Sequence, residues 1–94
     1  MKITWDENKN ILNKIKHDIS FELAQLVFND PLHFSHRDRI VDGEERWQAI
    51  GLIGGTTLLL VAHTWVDRED EEHVRIISAR IANKTERKRY ANNS

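Results

Sequence analysis

The stretch EERWQAIGLIGGTTLLLVAHT, residues 44–64, decides the fold. From Glu45 to Ile53, the residues Trp47, Ala49, Gly51 and Ile53 share one parity, the alternation of a half-buried strand. Gly54-Gly55 follows, and glycine suits a tight hairpin turn whose central positions take positive φ. Thr57 to Thr64 is the next strand; its apolar run, Leu58 to Ala62, is strand-sized and too short to cross a membrane. So short a link makes the two strands antiparallel.

The same logic extends outward. Asp42-Gly43 marks a second hairpin turn, and Leu32 to Ile40 before it reads as a polar edge strand. After Thr64, the acidic segment Trp65 to Glu72 reads as a loop and His73 to Arg80 as the last strand. Residues 2–5, KITW, alternate as a short first strand. Thr4 or Asp6 caps a helix that carries Ile11, Leu12 and Ile15 as its apolar stripe and ends near His17-Asp18. Ser20 caps a second helix with Phe21, Ala24, Val27 and Phe28 on its inner face, and Asn29-Asp30-Pro31 stops it. Asn83 and Glu86 have capping-box spacing at the start of a final helix. The expected architecture is α+β: an antiparallel meander packed on two N-terminal helices, with a C-terminal helix added and one sheet face left toward water.

A chain of 94 residues forms one domain, residues 1–94, with room for one modest core. It has no cysteine, so disulfides and thiolate metal sites are excluded, in keeping with a cytoplasmic setting. No signal peptide or membrane span is expected from this sequence. Net charge is −1, but it is unevenly spread: residues 75–94 carry +5 and residues 1–74 carry −6. A basic end suits a nucleic-acid contact; a solvated helix end gives the same pattern.

Most enzyme chemistries lack their residues here. The histidines are His17, His33, His36, His63 and His73, and none has metal-ligand spacing on a helix, so no metal or cofactor is expected. Gly51 to Gly55 lacks the lysine of a phosphate loop, and no GxSxG elbow occurs. Acid–base work by His and Glu remains, with Arg and Lys as charge clamps. That inventory suits RNA cleavage, because RNA supplies its own nucleophile in the 2′-hydroxyl and arginine grips phosphate with a planar fork.

Placement selects candidates. Arg46 opens one strand and His63 closes its neighbour, so the two meet across the Gly54-Gly55 hairpin. Arg80 closes the last strand, which puts it at the far end of a regular meander from His63. Arg75 and Arg80 are five apart and face opposite sides unless a bulge intervenes. Each residue also has a plainer reading: ion pairs for Arg46 and Arg80, a buried core role for His63, packing for Tyr90, and helix-end solvation for Lys16 and His17.

Four blocks carry a family likeness. They are Trp5-Asp6 through Asp30-Pro31 with Lys16-His17 and Ile19 to Glu22; Gly43-Glu44, Arg46-Trp47 and Ile50-Gly51; Leu59 to Thr64; and Arg75 to Arg80 with Ala82, Glu86-Arg87 and Tyr90. In this order they resemble the BrnT family of bacterial type II toxins, whose relatives share a RelE-like fold. The resemblance implies a metal-independent endoribonuclease that inhibits translation. It also implies neutralisation by a BrnA-like antitoxin in a two-plus-two assembly, with operator DNA bound only through the antitoxin. Carried over by position, Arg46, His63 and Arg80 are the implied catalytic residues, and Lys16, His17, Arg75, Arg87 and Tyr90 the RNA-binding ones. His63 is the first candidate for the base and Glu44 the reserve. The alternative is a non-catalytic antitoxin-binding module and operon co-repressor.

Overall fold

A computed structural model describes residues 1–93. Two hairpins organise it. Strand β3 (Glu44–Ile53) turns through Gly54 and Gly55 into β4 (Thr57–Arg68), and β2 (Phe34–Val41) turns through Asp42 and Gly43 into β3. These four residues have positive φ, between 51° and 78°, the geometry that lets a tight turn follow the twist of its strands. β5 (Glu71–Ile81) completes the meander, and β1 (Lys2–Trp5) lies beside it. The strand order is β1-β5-β4-β3-β2.

Two expectations are corrected here. The sheet is mixed, because β1 runs parallel to β5, from Lys2 opposite His73 to Trp5 opposite Ile76. The segment 65–72 is not a loop: β4 and β5 stay paired out to Arg68 and Glu71, in a ribbon that turns at Glu69 and Asp70. Both turn residues sit in the left-handed region without being glycine, at φ 52° and 64°, so the usual glycine signal is missing from the sequence.

The first helix, α1 (Glu7–His17), starts at Asp6, whose carboxylate accepts from Asn8 N–H and Lys9 N–H, and stops at Asp18 in the left-handed conformation. Its packing overturns the sequence reading. Leu12 and Ile15 are 64% and 78% exposed, and Ile11 is also exposed. The buried face consists of Asn10 and Asn13. Asn13 lies beside β5 just past the point where β1 ends. Its amide donates to Ala79 C=O at 2.9 Å and accepts from Ala79 N–H at 3.1 Å, so one side chain continues the edge pairing that β1 has left. The same amide donates to Ile19 C=O at 2.8 Å, and Asn10 accepts from Phe21 N–H at 2.8 Å. Buried backbone groups must find partners, and these two amides supply them, which is why α1 turns a polar face inward.

Ser20 caps α2 (Phe21–Ala24) through Leu23 N–H. The expected longer helix tightens instead into a 3-10 turn over Gln25–Asn29. Phe21, Ala24 and Val27 pack with Ala49, Leu59, Val61 and Ile76 to form the main core on one sheet face. Gly51 permits this approach, since a Cβ there would lie 2.6 Å from Val27 Cγ1. The last helix, α3 (Lys84–Asn93), covers part of the other face, over a smaller core of Ile50, Leu58, Leu60 and Ala82. Asn83 and Glu86 exchange the two hydrogen bonds of a capping box, each 2.9 Å.

Replacing Asn13 with Leu leaves both polar groups of Ala79 and the carbonyl of Ile19 without this partner. The expected loss of stability is about 2–4 kcal/mol, measured by urea unfolding; a loss below about 0.5 kcal/mol would show that the amide is dispensable.

Candidate RNA-facing site

One irregularity in β5 builds the site. Ala62 pairs with Ser78 and His63 with Ile76, so Ile77 is an extra residue on β5. A bulge resets the alternation of side chains. Arg75 and Arg80 therefore lie on the same face, despite being five apart. Their contacts agree: Arg75 reaches Glu44 on β3 and Arg80 reaches Glu86 on α3. Residues Ile76 and Ala79, between them, both point into the main core.

Around Glu44 the charges converge. Arg75 Nη2 donates to Glu44 Oε1 at 2.7 Å, and Arg46 Nε stands 3.3 Å from the same oxygen. The Arg46 contact is an ion pair without hydrogen-bond alignment, since its Nε is buried with no hydrogen-bond partner. The Arg75 bond, aided by the Arg46 charge, holds the Glu44 carboxyl below its ordinary range. A shallow cavity of about 160 Å3 opens beside this cluster, lined by Thr4, Glu44, Thr64 and Arg75 among others. On the neighbouring strand β2, Arg39 pairs with Arg46, and His36 pairs with Gln48. His36 Nδ1 lies 3.2 Å from Arg89 of α3. These groups share the open face and were missed in the sequence, where His36 and Arg39 sit in a strand with no apolar alternation to fix its sides.

The other candidates are elsewhere or are already engaged. His63 is 1% exposed and lies on the helix-covered face, opposite Arg46, although their strands pair. Trp47, not Arg46, is its partner across the hairpin. Its Nδ1 contacts Thr64 C=O at 2.9 Å and its Nε2 contacts Ser35 Oγ at 3.3 Å. Phe28 packs edge-on against the ring at 5.2 Å. Burial pushes its pKa down. The expected meeting of Arg46 and His63 does not occur, because the side-chain period puts His63 behind the sheet; Arg80 lies apart from both, as its place in the meander implied, opposite Leu60 and well along β5 from Arg75.

Arg80 is bound by Glu86 through two 2.8 Å hydrogen bonds and so ties α3 to the sheet. Tyr90 donates to Asp30 Oδ2 at 2.6 Å, and that bond pushes its pKa up to about 12. Asp30 Oδ2 also accepts from Leu52 N–H, so Tyr90 fastens α3 to the end of the 3-10 turn. Arg87 is exposed on α3. Lys16 and His17 end α1, in the layer against the opposite face, apart from the arginine cluster.

Similarity to known proteins agrees with this fold. A family model described as the ribonuclease toxin BrnT of type II toxin-antitoxin systems matches residues 5–86. The chain belongs to the BrnT family. A crystal structure of the ribonuclease toxin BrnT from Brucella abortus is similar over 89% of this chain and 99% of that one, with 32% identity and a TM-score of 0.63. No curated protein matches. The BrnT-like fold here carries its cations on the sheet face that the N-terminal helices leave open, and no described helix is long and apolar enough to cross a membrane.

His63 gives a pH test of its buried position. Its folded pKa lies below the unfolded value of 6.5, so the unfolded state takes up the proton first and stability falls as pH drops below about 6.5. Urea unfolding between pH 7.5 and 5.5 is expected to show this decline, and His63→Gln to flatten it. An unchanged slope in the variant would contradict the burial.

Proposed function

We propose that this protein is a metal-independent endoribonuclease toxin of the cytoplasm, inhibiting translation and held silent by a BrnA-like antitoxin. The two-plus-two assembly, with operator DNA bound through the antitoxin, belongs to the same reading. The observation that carries the proposal is the Arg46–Glu44–Arg75 cluster on the open sheet face. It sets two fixed cations and one carboxylate within a few ångströms, on the face that the N-terminal helices leave free.

The chemistry follows from what these groups do. Arg46 and Arg75 bind the non-bridging oxygens of a phosphodiester and stabilise the charge that grows there. The 2′-oxygen attacks phosphorus, the P–O5′ bond breaks, and the products are a 2′,3′-cyclic phosphate and a 5′-hydroxyl. Glu44 is ionised and receives the proton of the 2′-hydroxyl. When phosphate draws the arginines away from it, its basicity rises toward the ordinary carboxylate value. His36, on the same face, returns a proton to O5′. Arg39, Arg87 and Arg89 extend the positive field along the RNA. Arg80 and Tyr90 act on the site by holding α3 in place, and His63 by packing under β3 and β4. Guanidinium groups carry the charge that a metal would otherwise balance, which supports metal independence.

Arg46→Ala combined with Arg75→Ala is expected to reduce cleavage of a fluorescent RNA by at least about 10²-fold, with far-UV circular dichroism unchanged. EDTA is expected to leave the wild-type rate intact. Full cleavage by the double variant would overturn the site. A wild type that binds its antitoxin yet cuts no RNA would favour the non-catalytic module.

A further inference from the structure

The opposite sheet face has its own opening. The N-terminal helices and the 3-10 turn cover only part of it. Beyond Phe28 a cavity of about 310 Å3 is walled by Phe28, His33, His63, Trp65 and Val74, with Ser35 beside His63. Trp65 is 40% exposed although it lies beside the core. Trp47 packs edge-on against it, centroids 5.0 Å apart.

The rim of this cleft is acidic. Glu72 lines it and accepts from the Trp65 indole at 2.8 Å. Asp67 lines the adjoining hollow with Trp65 and Glu72, and Glu45 the next one, which reaches Glu44 at the end of the sheet. The ribbon continues outward with Glu69, Asp70 and Glu71. Of the nearby arginines, Arg37 is 3.5 Å from Glu45 and Arg68 stands opposite Glu71 in the ribbon's register. A polyanion is repelled here, whereas an apolar side chain between basic neighbours meets both the cavity and its rim.

We propose that this aromatic cleft is where the antitoxin docks, through a segment that seats one large apolar or aromatic side chain in the cavity and lays flanking Lys or Arg along Glu45, Asp67 and Glu72. The inference rests on the reading of the chain as a toxin with an antitoxin partner. The two functions then use opposite faces of one sheet: RNA on the arginine face, the antitoxin on the aromatic one. Anchors of this kind dominate binding energy when they fill a desolvated pocket.

The test is titration calorimetry of the purified cognate antitoxin against the toxin and three variants. Trp65→Ala is expected to weaken binding at least tenfold. The exposed pair Asp67→Lys with Glu72→Lys is expected to do the same by reversing the charge of the rim, and to keep RNA cleavage. Arg75→Ala is expected to leave antitoxin affinity unchanged. Unchanged affinity in the Asp67→Lys/Glu72→Lys protein would overturn the inference. So would quenching of Trp65 fluorescence by adenosine monophosphate with no antitoxin effect, which would make the cleft a nucleobase site. Wild-type protein that binds antitoxin through these residues but leaves RNA intact would sink the ribonuclease reading and leave the docking site standing.

Discussion

One unpaired residue, Ile77, determines which side chains face which way along β5. Strand side chains alternate with a period of two, so without it Arg75 and Arg80 would point to opposite layers. With it, Ile76 and Ala79 both enter the main core while Arg75 and Arg80 both turn to the open face. The bulge thus reconciles two demands on a single strand. It closes the core under the N-terminal helices and delivers a cation to Glu44 at one end and an anchor for α3 at the other. Bulges are recurrent devices for re-aiming side chains near functional sites.

The anchoring of α3 depends on that geometry. Arg80–Glu86, the Asn83 capping box and Tyr90–Asp30 all fasten a helix whose own sequence has little apolar surface. Most helical stability comes from packing of an apolar face, so hydrogen bonds carry more of the burden here. α1 follows a similar plan at the other edge, where Asn13 takes the place of a strand. Both helices are held by polar groups, which leaves apolar residues such as Ile15 facing outward.

What was legible in the sequence was local. Gly54-Gly55, Asp42-Gly43, the Ser20 cap and the Asn83–Glu86 box each state their conformation within four residues, and all are found in the structure. The family likeness rested on such blocks and was sound. What needed long-range contacts was misread. Apolar spacing pointed Ile11, Leu12 and Ile15 inward, because nothing nearby shows that the edge of β5 needs an amide at Ala79. Glu69 and Asp70 turn a hairpin without glycine, so the ribbon looked like a loop. The bulge at Ile77 leaves no mark in the alternation of RIISAR, which is why the relation of Arg75 to Arg80 stayed open. The plainer reading of His63, a buried core role, agrees with its burial, and only the register separates it from Arg46.

The central claim is that RNA meets the arginine face and not the aromatic one. Nitrogen-15 NMR reports both faces at once, through the guanidinium Nε–H signals of Arg46 and Arg75 and the indole signals of Trp47 and Trp65. On addition of a short RNA with its 2′-hydroxyls removed, which binds without being cut, the arginine signals should shift and the two indoles stay in place. Shifts confined to the indoles, with Arg46 and Arg75 unmoved, would contradict the account.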